Sequence, residues 1–278
     1  MRLRPVHPSV PRRQRLGLPQ ALYRMAAAPL LAAGLLFPSA YAAAQQNFEI
    51  QVYESETLDP GKTMVELHSN VTVKGTTTTT DGVLPTQHAV HETLEITHGF
   101  SPWFETAVYL FTSVQPGSGY EWVGNHIRPK VRVPESWDWP VGLALATEVG
   151  YQQRRFSPDT WTVELRPIID KKVGPWYFSL NPAVGRSLKG QNSGQGFDFS
   201  PAAKIGYELT PKVAAGIEYY GALGPIRRFD RPKDQQQQIF PVVDLNLDPR
   251  WECNFGVGFG LTGSTDRLIV KMILGYAF

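Results

Sequence analysis

The sequence has only one cysteine, Cys253, among its 278 residues. A single thiol cannot form an internal disulfide, and it cannot supply the thiolates of a structural zinc site. Long apolar runs are also missing: the run at 25–37 covers about 13 residues, whereas a membrane-spanning helix needs roughly 20. The sequence contains no phosphate-binding loop and no dinucleotide fingerprint. We therefore expect no cofactor, no disulfide and no helical membrane anchor.

The first 44 residues lack acidic side chains. Six arginines precede the apolar run at 25–37, and the small residues of 38–44 follow it. This order is typical of a secretory signal peptide, so we expect residues 1–44 to be removed. Without them, the basic residues fall from 27 to 21 against 25 acidic ones, which leaves a net charge near −4. The basic residues thus give no reason to expect nucleic acid as a partner.

Beyond residue 61 the chain alternates apolar and polar residues, and no amphipathic helix is indicated. Clusters of Gly, Pro, Asp, Asn and Ser separate the alternating runs, as expected between strands. The twelve predicted strands are 62–75, 87–98, 103–114, 123–134, 141–153, 160–172, 175–188, 197–209, 212–222, 237–247, 251–261 and 266–278.

The segments between these runs alternate in kind. Short ones such as "HGFSPW" and "LTPKV" alternate with mostly longer, more polar ones such as "KGTTTTTDGVLPT" and "LGPIRRFDRPKDQQQQ". Short turns at one end and longer loops at the other are typical of an up-and-down transmembrane β-barrel. The sequence therefore predicts an all-β antiparallel barrel over residues 61–278, located in the outer membrane. An even strand number places both termini at the short-turn end, in the periplasm.

The last run explains why a lysine stands among apolar residues. Leu268, Val270, Met272 and Leu274 share one face of this run, whereas Lys271 lies on the other. In a barrel wall the apolar face meets lipid and the other face meets the lumen, so Lys271 is expected to point inward. A soluble β-sandwich would alternate too, but its strands are usually shorter. The aromatic residues beside the short turns also favour a membrane interface; they are Trp103, Phe104, Trp137, Trp139, Trp176 and Trp251.

Two features fit this barrel poorly. Proline cannot donate to a strand ladder, so the prolines within the runs are expected to bend or bulge the wall from its outer face. They are Pro129, Pro167, Pro182, Pro201 and Pro241. Glu92 would face lipid, which indicates either a bulge or a register error in its run.

The C-terminal strand resembles the assembly signal of Gram-negative outer-membrane barrels. Lys271 matches the polar position of that signal, and Tyr276 and Phe278 match its last two aromatic positions, although Ile273 replaces the usual glycine. The turn segments "THGFSPWFETAVYL", "ELTPKVAAGIEYYG" and "NLDPRWECNFGVGF" are similar to one another and to those of the outer-membrane transporter family linked to phenol-degradation operons. The resemblance implies outer-membrane lipids, lipopolysaccharide and the barrel-assembly machinery as partners.

The inward faces carry many ionisable groups. His126, Arg128, Lys130 and Arg132 form one inward column, with Glu105 and Glu148 expected on the neighbouring strands. The full set of residues expected to line a pore is His126, Arg128, Lys130, Arg132, Glu105, Glu148, Glu164, Arg166, Lys204, Glu218, Asp244 and Lys271. Two interpretations stay open. The column lines a narrow pore for small polar or anionic solutes, or the charges pair and fill a structural barrel.

A lipid-acting hydrolase is a third, weaker hypothesis. It starts from "ELHSNV", where His68 and Ser69 are adjacent and so point to opposite faces of a strand. A base must lie within hydrogen-bond reach of its nucleophile, so no catalytic residue is expected. No metal site is expected either: His68, His88, His91 and His98 could gather on two strands, but His88 and His91 differ in strand phase, which disfavours two ligands from that run on one face. Residues 45–60, which we assign to a periplasmic segment, could instead form a small plug.

Overall fold

The structure is a computed structural model that describes residues 47–278; the signal peptide expected at 1–44 lies outside the described residues. The described chain forms strands of 10 to 15 residues and a short 3-10 helix, Glu135–Trp137. The strands are β1 (Thr63–Lys74), β2 (Val90–Ser101), β3 (Phe104–Gln115), β4 (Gly119–Arg132), β5 (Gly142–Gln152), β6 (Asp159–Val173), β7 (Trp176–Gly190), β8 (Asp198–Thr210), β9 (Val213–Ala222), β10 (Gln236–Leu245), β11 (Trp251–Gly260) and β12 (Leu268–Ala277).

These strands close into one antiparallel barrel. Each strand pairs with the next along the chain, and β1 also pairs with β12, so no strand edge is left open among residues 47–278. The predicted all-β barrel is confirmed, and each predicted run matches one strand with boundaries that differ by at most four residues. Within the described part of the chain, no helix is long and apolar enough to cross a membrane.

The two ends of the barrel differ in their connections. At the short-turn end, two residues each join β2 to β3, β6 to β7 and β8 to β9. At the opposite end, which we call the long-loop end, 15 residues follow β1 and 13 follow β9. The three-residue turn between β3 and β4 is the exception at that end. β1 begins and β12 ends at the short-turn end.

The outer wall is apolar and the inner wall is largely polar. In β12, Lys271 is 1% exposed, whereas its neighbour Met272, on the outer face, is 37% exposed. Exposed tryptophans lie near the short turns, as predicted. A second aromatic group lies towards the long loops, where the rings of Trp122, Tyr151 and Trp161 form a row with centroids 5.8 and 5.6 Å apart. An apolar band between two aromatic belts suits a lipid bilayer.

The two aromatic residues of the expected assembly signal lie at the end of β12. Tyr276 and Phe278 pack edge to face with ring centroids 5.0 Å apart, and the Phe278 N–H donates to the Thr63 carbonyl oxygen at 2.8 Å. The Phe278 side chain remains 66% exposed. An exposed ring held by its backbone is available for contact, and its recognition by the assembly machinery stays a prediction.

Of the bend or bulge expected at the prolines, the strand ladders show no bulge. In the β6–β7 ladder, pairing is interrupted around Pro167 but resumes in the same register, from Leu165↔Val184 to Ile169↔Leu180. The ladders around Pro129 and Pro241 likewise keep their register. Each of these prolines removes one donor without adding a residue to either strand. The register shifts of the barrel occur elsewhere, as between Phe111 and Thr112.

Residues 47–58 lie inside the barrel, and we call them the plug. Phe48, Ile50, Val52 and Tyr53 are each at most 5% exposed, and Gly61 links the segment to the short-turn end through a hydrogen bond to Gly99. Of the two expectations for this segment, a periplasmic segment or a small plug, the described residues take the second. The apolar side chains of this segment are removed from water by packing against the inner wall, which explains why the segment lies in the lumen.

The outer wall allows a direct test. Val108 lies mid-strand on the outer face of β3, is 47% exposed, and pairs with Ile96 and Ile127. We expect Val108→Arg to destabilise the barrel in lipid vesicles by about 2–4 kcal/mol, because it places a charge near the bilayer midplane. Val131→Arg, at the short-turn edge of β4, should cost no more than about 1 kcal/mol. Urea unfolding followed by tryptophan fluorescence measures both, and equal effects would argue against a bilayer around this wall.

Candidate functional site: the plugged lumen

The plug runs along the lumen from the long-loop end to the short-turn end. Near the long loops, Asn47 Nδ2 donates to the Asp266 carboxylate at 2.8 Å, and the Asn47 carbonyl oxygen accepts from Asn70 Nδ2 at 2.9 Å. Near the short turns, the Leu58 N–H donates to Glu105 Oε2 at 2.8 Å. The segment is thus held to the wall at both ends of its path.

Apolar plug side chains pack against apolar residues of the inner wall. Phe48 contacts Phe111 with ring centroids 5.6 Å apart, in a cluster with Ala107, Tyr109 and Val123. Ile50 and Val52 belong to a second cluster, which contains Ala202, Tyr220, Phe240, Val242 and Ile269. Removing this apolar area from water stabilises the plug in its place.

The plug backbone is also hydrogen-bonded by wall side chains. The Tyr53 N–H donates to Asn181 Oδ1 at 2.7 Å, and the Tyr53 carbonyl oxygen accepts from Ser179 Oγ at 2.8 Å. The Ser55 N–H and hydroxyl each donate to the Asp170 carboxylate at 2.7 Å. An extended segment without a neighbouring strand needs such partners, because buried backbone groups are costly to leave unpaired.

One ionic cluster lies on β2, β3 and β4. Arg128 pairs with Glu95 at 2.7 Å, and Lys130 pairs with Glu105 at 2.8 Å. The Arg128 guanidinium also lies 4.3 Å from the centroid of the Tyr53 ring, and Lys130 Nζ donates to a plug carbonyl oxygen at 2.5 Å. This cluster fastens the wall to the plug.

A second ionic cluster is centred on Glu218 of β9. Lys271 Nζ lies 2.5 Å from Glu218 Oε2, and Lys204 Nζ lies 3.4 Å from Glu218 Oε1. Lys204 also pairs with Asp244 at 2.9 Å, and Lys271 donates to the Ile50 carbonyl oxygen at 2.9 Å. The Glu218 and Lys271 side chains are only 2% and 1% exposed. Glu218 therefore faces two buried ammonium groups and is the only acidic partner of Lys271 among the described residues, whereas Lys204 also has Asp244.

A third group of charges lies on β4, β5 and β6. His126 Nδ1 is hydrogen-bonded to Glu148 Oε1, and Arg166 pairs with Glu164 at 2.6 Å. The Arg166 guanidinium lies 4.7 Å from the centroid of the Tyr53 ring, so this group also borders the plug.

All twelve residues expected to line a pore point into the barrel, and the two acids expected beside the basic column are in place. Glu105 pairs with Lys130, and Glu148 binds His126. The last member of the column, Arg132, pairs with Glu135 at 3.1 Å. Because each member has an acidic partner, the column does not project a positive field into the lumen.

A cavity of about 780 Å³ lies between the plug and the inner wall and reaches the short turns. Glu54 projects from the plug into it. Enclosure by the barrel raises the pKa of Glu54 to about 7, against the attraction of Lys204 and helped by the nearby carboxylates of Glu252 and Glu56. A second cavity of about 100 Å³ borders Glu49 of the plug.

One buried group, formed by Glu66, His68 and Glu95, was not predicted from the sequence. The sequence suggested only sets of histidines, whereas the structure brings one histidine together with two glutamates of adjacent strands. Glu66, His68 and Glu95 all have the inward phase in the sequence. This phase predicts a cluster only when the pairing of β1 with β2 is also known.

Ser69 and His68 point to opposite faces of β1, as the alternation predicts. His68 is buried on the inner wall, 3.3 Å from Glu95, whereas the Ser69 hydroxyl donates to Glu92 Oε2 at 2.6 Å. The β1–β2 ladder keeps its register through Glu92, so this residue faces outward without the bulge or register error considered above. Among the described residues Ser69 hydrogen-bonds Glu92 and not His68, so the histidine of the hydrolase hypothesis lies out of reach of this serine.

Comparison with solved structures places the fold among outer-membrane β-barrels. An outer membrane channel from Pseudomonas putida F1 matches with a TM-score of 0.54 and 12% identity, over 83% of this chain and 100% of that one. The KdgM porin in complex with disordered oligogalacturonate matches with a TM-score of 0.52 and 10% identity, over 77% and 99%. The NanC porin matches with a TM-score of 0.51 and 8% identity, over 78% and 98%. Neither the protein-family models nor the curated proteins gave a match.

Proposed function

We propose that this chain is an outer-membrane channel for small polar solutes, narrowed by its own plug. The observation that carries the proposal is the cavity of about 780 Å³ beside the plug. A lumen filled by side chains alone would leave no such space, as in barrels of about eight strands. The proposal includes the location in the outer membrane, with the short turns in the periplasm. The solved porins and channels of similar fold support it.

The charge of the cavity favours cations over anions. Ten acidic and seven basic side chains line it, and the basic column is paired with carboxylates. The reason for expecting an anion pore was that column, and its pairing removes most of that positive field. An acidic excess along a narrow passage raises the local cation concentration. We therefore propose a weak preference for cations in place of the anion preference.

Planar-bilayer recording of the refolded barrel tests this proposal. In a KCl gradient at pH 8, the reversal potential should indicate cation preference, and Glu54→Lys with Glu56→Lys should shift it towards anions. These two side chains are exposed to the cavity, whereas Lys130 binds only their carbonyl oxygens. Because the pKa of Glu54 is about 7, cation preference should weaken at pH 6, where the carboxyl group is mostly neutral.

The matched control reverses Glu121, an acid outside the larger cavity that pairs with Arg155. Glu121→Lys should leave the reversal potential unchanged. A folded barrel that never conducts would overturn the channel proposal and favour the structural barrel that the sequence left open.

The relation to transporters of phenol-degradation operons rests on the turn segments. Aromatic acids added to the recordings would test this relation by blocking the current.

A further inference from the structure

Glu66, His68 and Glu95 lie together on the inner wall where β1 meets β2. Glu66 and Glu95 are direct partners in the β1–β2 ladder, and His68 follows Glu66 by two residues on the same face. One ligand atom from each residue lies within 4.8 Å of the other two. His68 Nε2 and Glu95 Oε2 are 3.3 Å apart. Three groups that bind metals are thus brought to one point by the strand pairing.

The converging atoms are buried, and two of them lack a partner. Glu66, His68 and Glu95 are 5%, 0% and 1% exposed. Within residues 47–278, Glu66 Oε1 and His68 Nδ1 have no hydrogen-bond partner, and His68 Nε2 and Glu95 Oε2 have only each other, at 3.3 Å. An unpaired polar atom out of contact with water destabilises a fold. Several such atoms directed at one point can be satisfied together by a common partner.

Neighbouring side chains determine which carboxylate oxygen of Glu95 is directed at His68. Glu95 Oε1 accepts from Arg128 at 2.7 Å and from Thr97 Oγ1 at 2.8 Å, which leaves Oε2 on the side of His68. Outer partners of this kind orient the carboxylates of metal sites. On the other side, Glu66 pairs with Gly275 of β12, where a Cβ would lie only 2.7 Å from Glu66 Cγ. The glycine therefore leaves the space that the Glu66 side chain occupies.

We propose that Glu66, His68 and Glu95 form a binding site for a divalent transition-metal ion such as Zn²⁺. Glu66 would supply a carboxylate that pairs with no basic residue among the described ones, and Glu95 would add Oε2 while Oε1 stays with Arg128. An imidazole nitrogen selects transition metals over Mg²⁺ and Ca²⁺, which prefer oxygen ligands. Three protein ligands leave a coordination position for water. Glu66 and Glu95 both border the larger cavity, which gives the ion a route from the short-turn end. The ion would link β1 to β2 next to β12, the strand that closes the barrel by pairing with β1.

Isothermal titration calorimetry on the tag-free refolded barrel, stripped with chelator, tests the site. We expect one Zn²⁺ ion per chain and no saturable Mg²⁺ binding. Both Glu66→Gln and His68→Gln should weaken Zn²⁺ binding about tenfold or more, since each removes a ligand. In a second measurement, Co²⁺ should give a visible absorption band that both variants lose.

The matched control is His98→Gln, which removes a histidine of the same strand pair that is hydrogen-bonded to Thr63 instead. This variant should bind Zn²⁺ as the unchanged chain does. If His68→Gln fails to refold, Glu66→Gln alone decides the question, because Glu66 has a free oxygen and no ion pair among the described residues. Binding that is absent, or equal in Glu66→Gln and the unchanged chain, would overturn the proposal. The readout does not depend on conduction, so failure here leaves the channel proposal in place.

Discussion

Replacing residues 47–58 by a glycine–serine linker of equal length should raise the single-channel conductance roughly three- to tenfold. The plug fills the centre of the lumen, where Phe48, Ile50 and Tyr53 are buried against the inner wall. A glycine–serine linker cannot make these contacts and is flexible, so it should leave the lumen to water. Lys130 and Lys271 would lose carbonyl partners on the plug but keep Glu105 and Glu218. Recording in planar bilayers at matched salt measures the change.

The same replacement at 76–80, in the long loop after β1, is the control. These residues lie outside the lumen-filling segment and are exposed, so the conductance should stay at the level of the unchanged chain. Heat-modifiable migration in detergent gels would show that both variants fold. A plug variant that folds but conducts like the unchanged chain would mean that the plug is not the obstruction.

Glu218→Gln should destabilise the barrel by about 3–5 kcal/mol. The substitution removes the charge that faces both Lys271 and Lys204, at 2.5 and 3.4 Å, in a part of the wall that is almost fully buried. Lys204 retains Asp244, but Lys271 would be left as a buried charge without an acidic partner within hydrogen-bond reach among the described residues. Urea unfolding in phospholipid vesicles, followed by tryptophan fluorescence, measures the loss.

Two further variants separate charge pairing from packing. Adding Lys271→Met to Glu218→Gln removes the unpaired ammonium group, so the double variant should recover part of the stability. Glu208→Gln breaks the exposed Lys172–Glu208 pair, 2.6 Å long, and should cost no more than about 1 kcal/mol. Equal losses in Glu218→Gln and Glu208→Gln would contradict the special weight that we give to the buried carboxylate.

The strands could be read from the sequence because their signal is local. Alternation within β12 requires only a few consecutive residues, and it places Lys271 inside without knowledge of any partner. The partner itself, Glu218, lies three strands away on β9, and Glu95 likewise reaches Arg128 from β2 to β4. Contacts that skip strands depend on the curvature of the closed wall, which no local pattern encodes.

The plug was harder to predict for a different reason. Phe48, Ile50 and Val52 alternate like a strand, but alternation does not say which surface receives the apolar face. The sequence of the wall holds the missing information. Phe240 and Val242 have the inward phase of β10, although the other residues on that face are polar. Inward apolar residues in a hydrated lumen indicate a covering segment, and the structure shows that the covering segment contains Ile50 and Val52.

The contact between Lys271 and the Ile50 carbonyl oxygen joins the first described stretch of the chain to the last strand. The chain around Ile50 can receive this hydrogen bond only once β12 has arrived, and β12 completes the wall by pairing with β1. The last anchor of the leading segment and the seam of the barrel therefore depend on the arrival of the same strand. If the barrel closed first, its leading segment would have to be threaded into the lumen from the short-turn end.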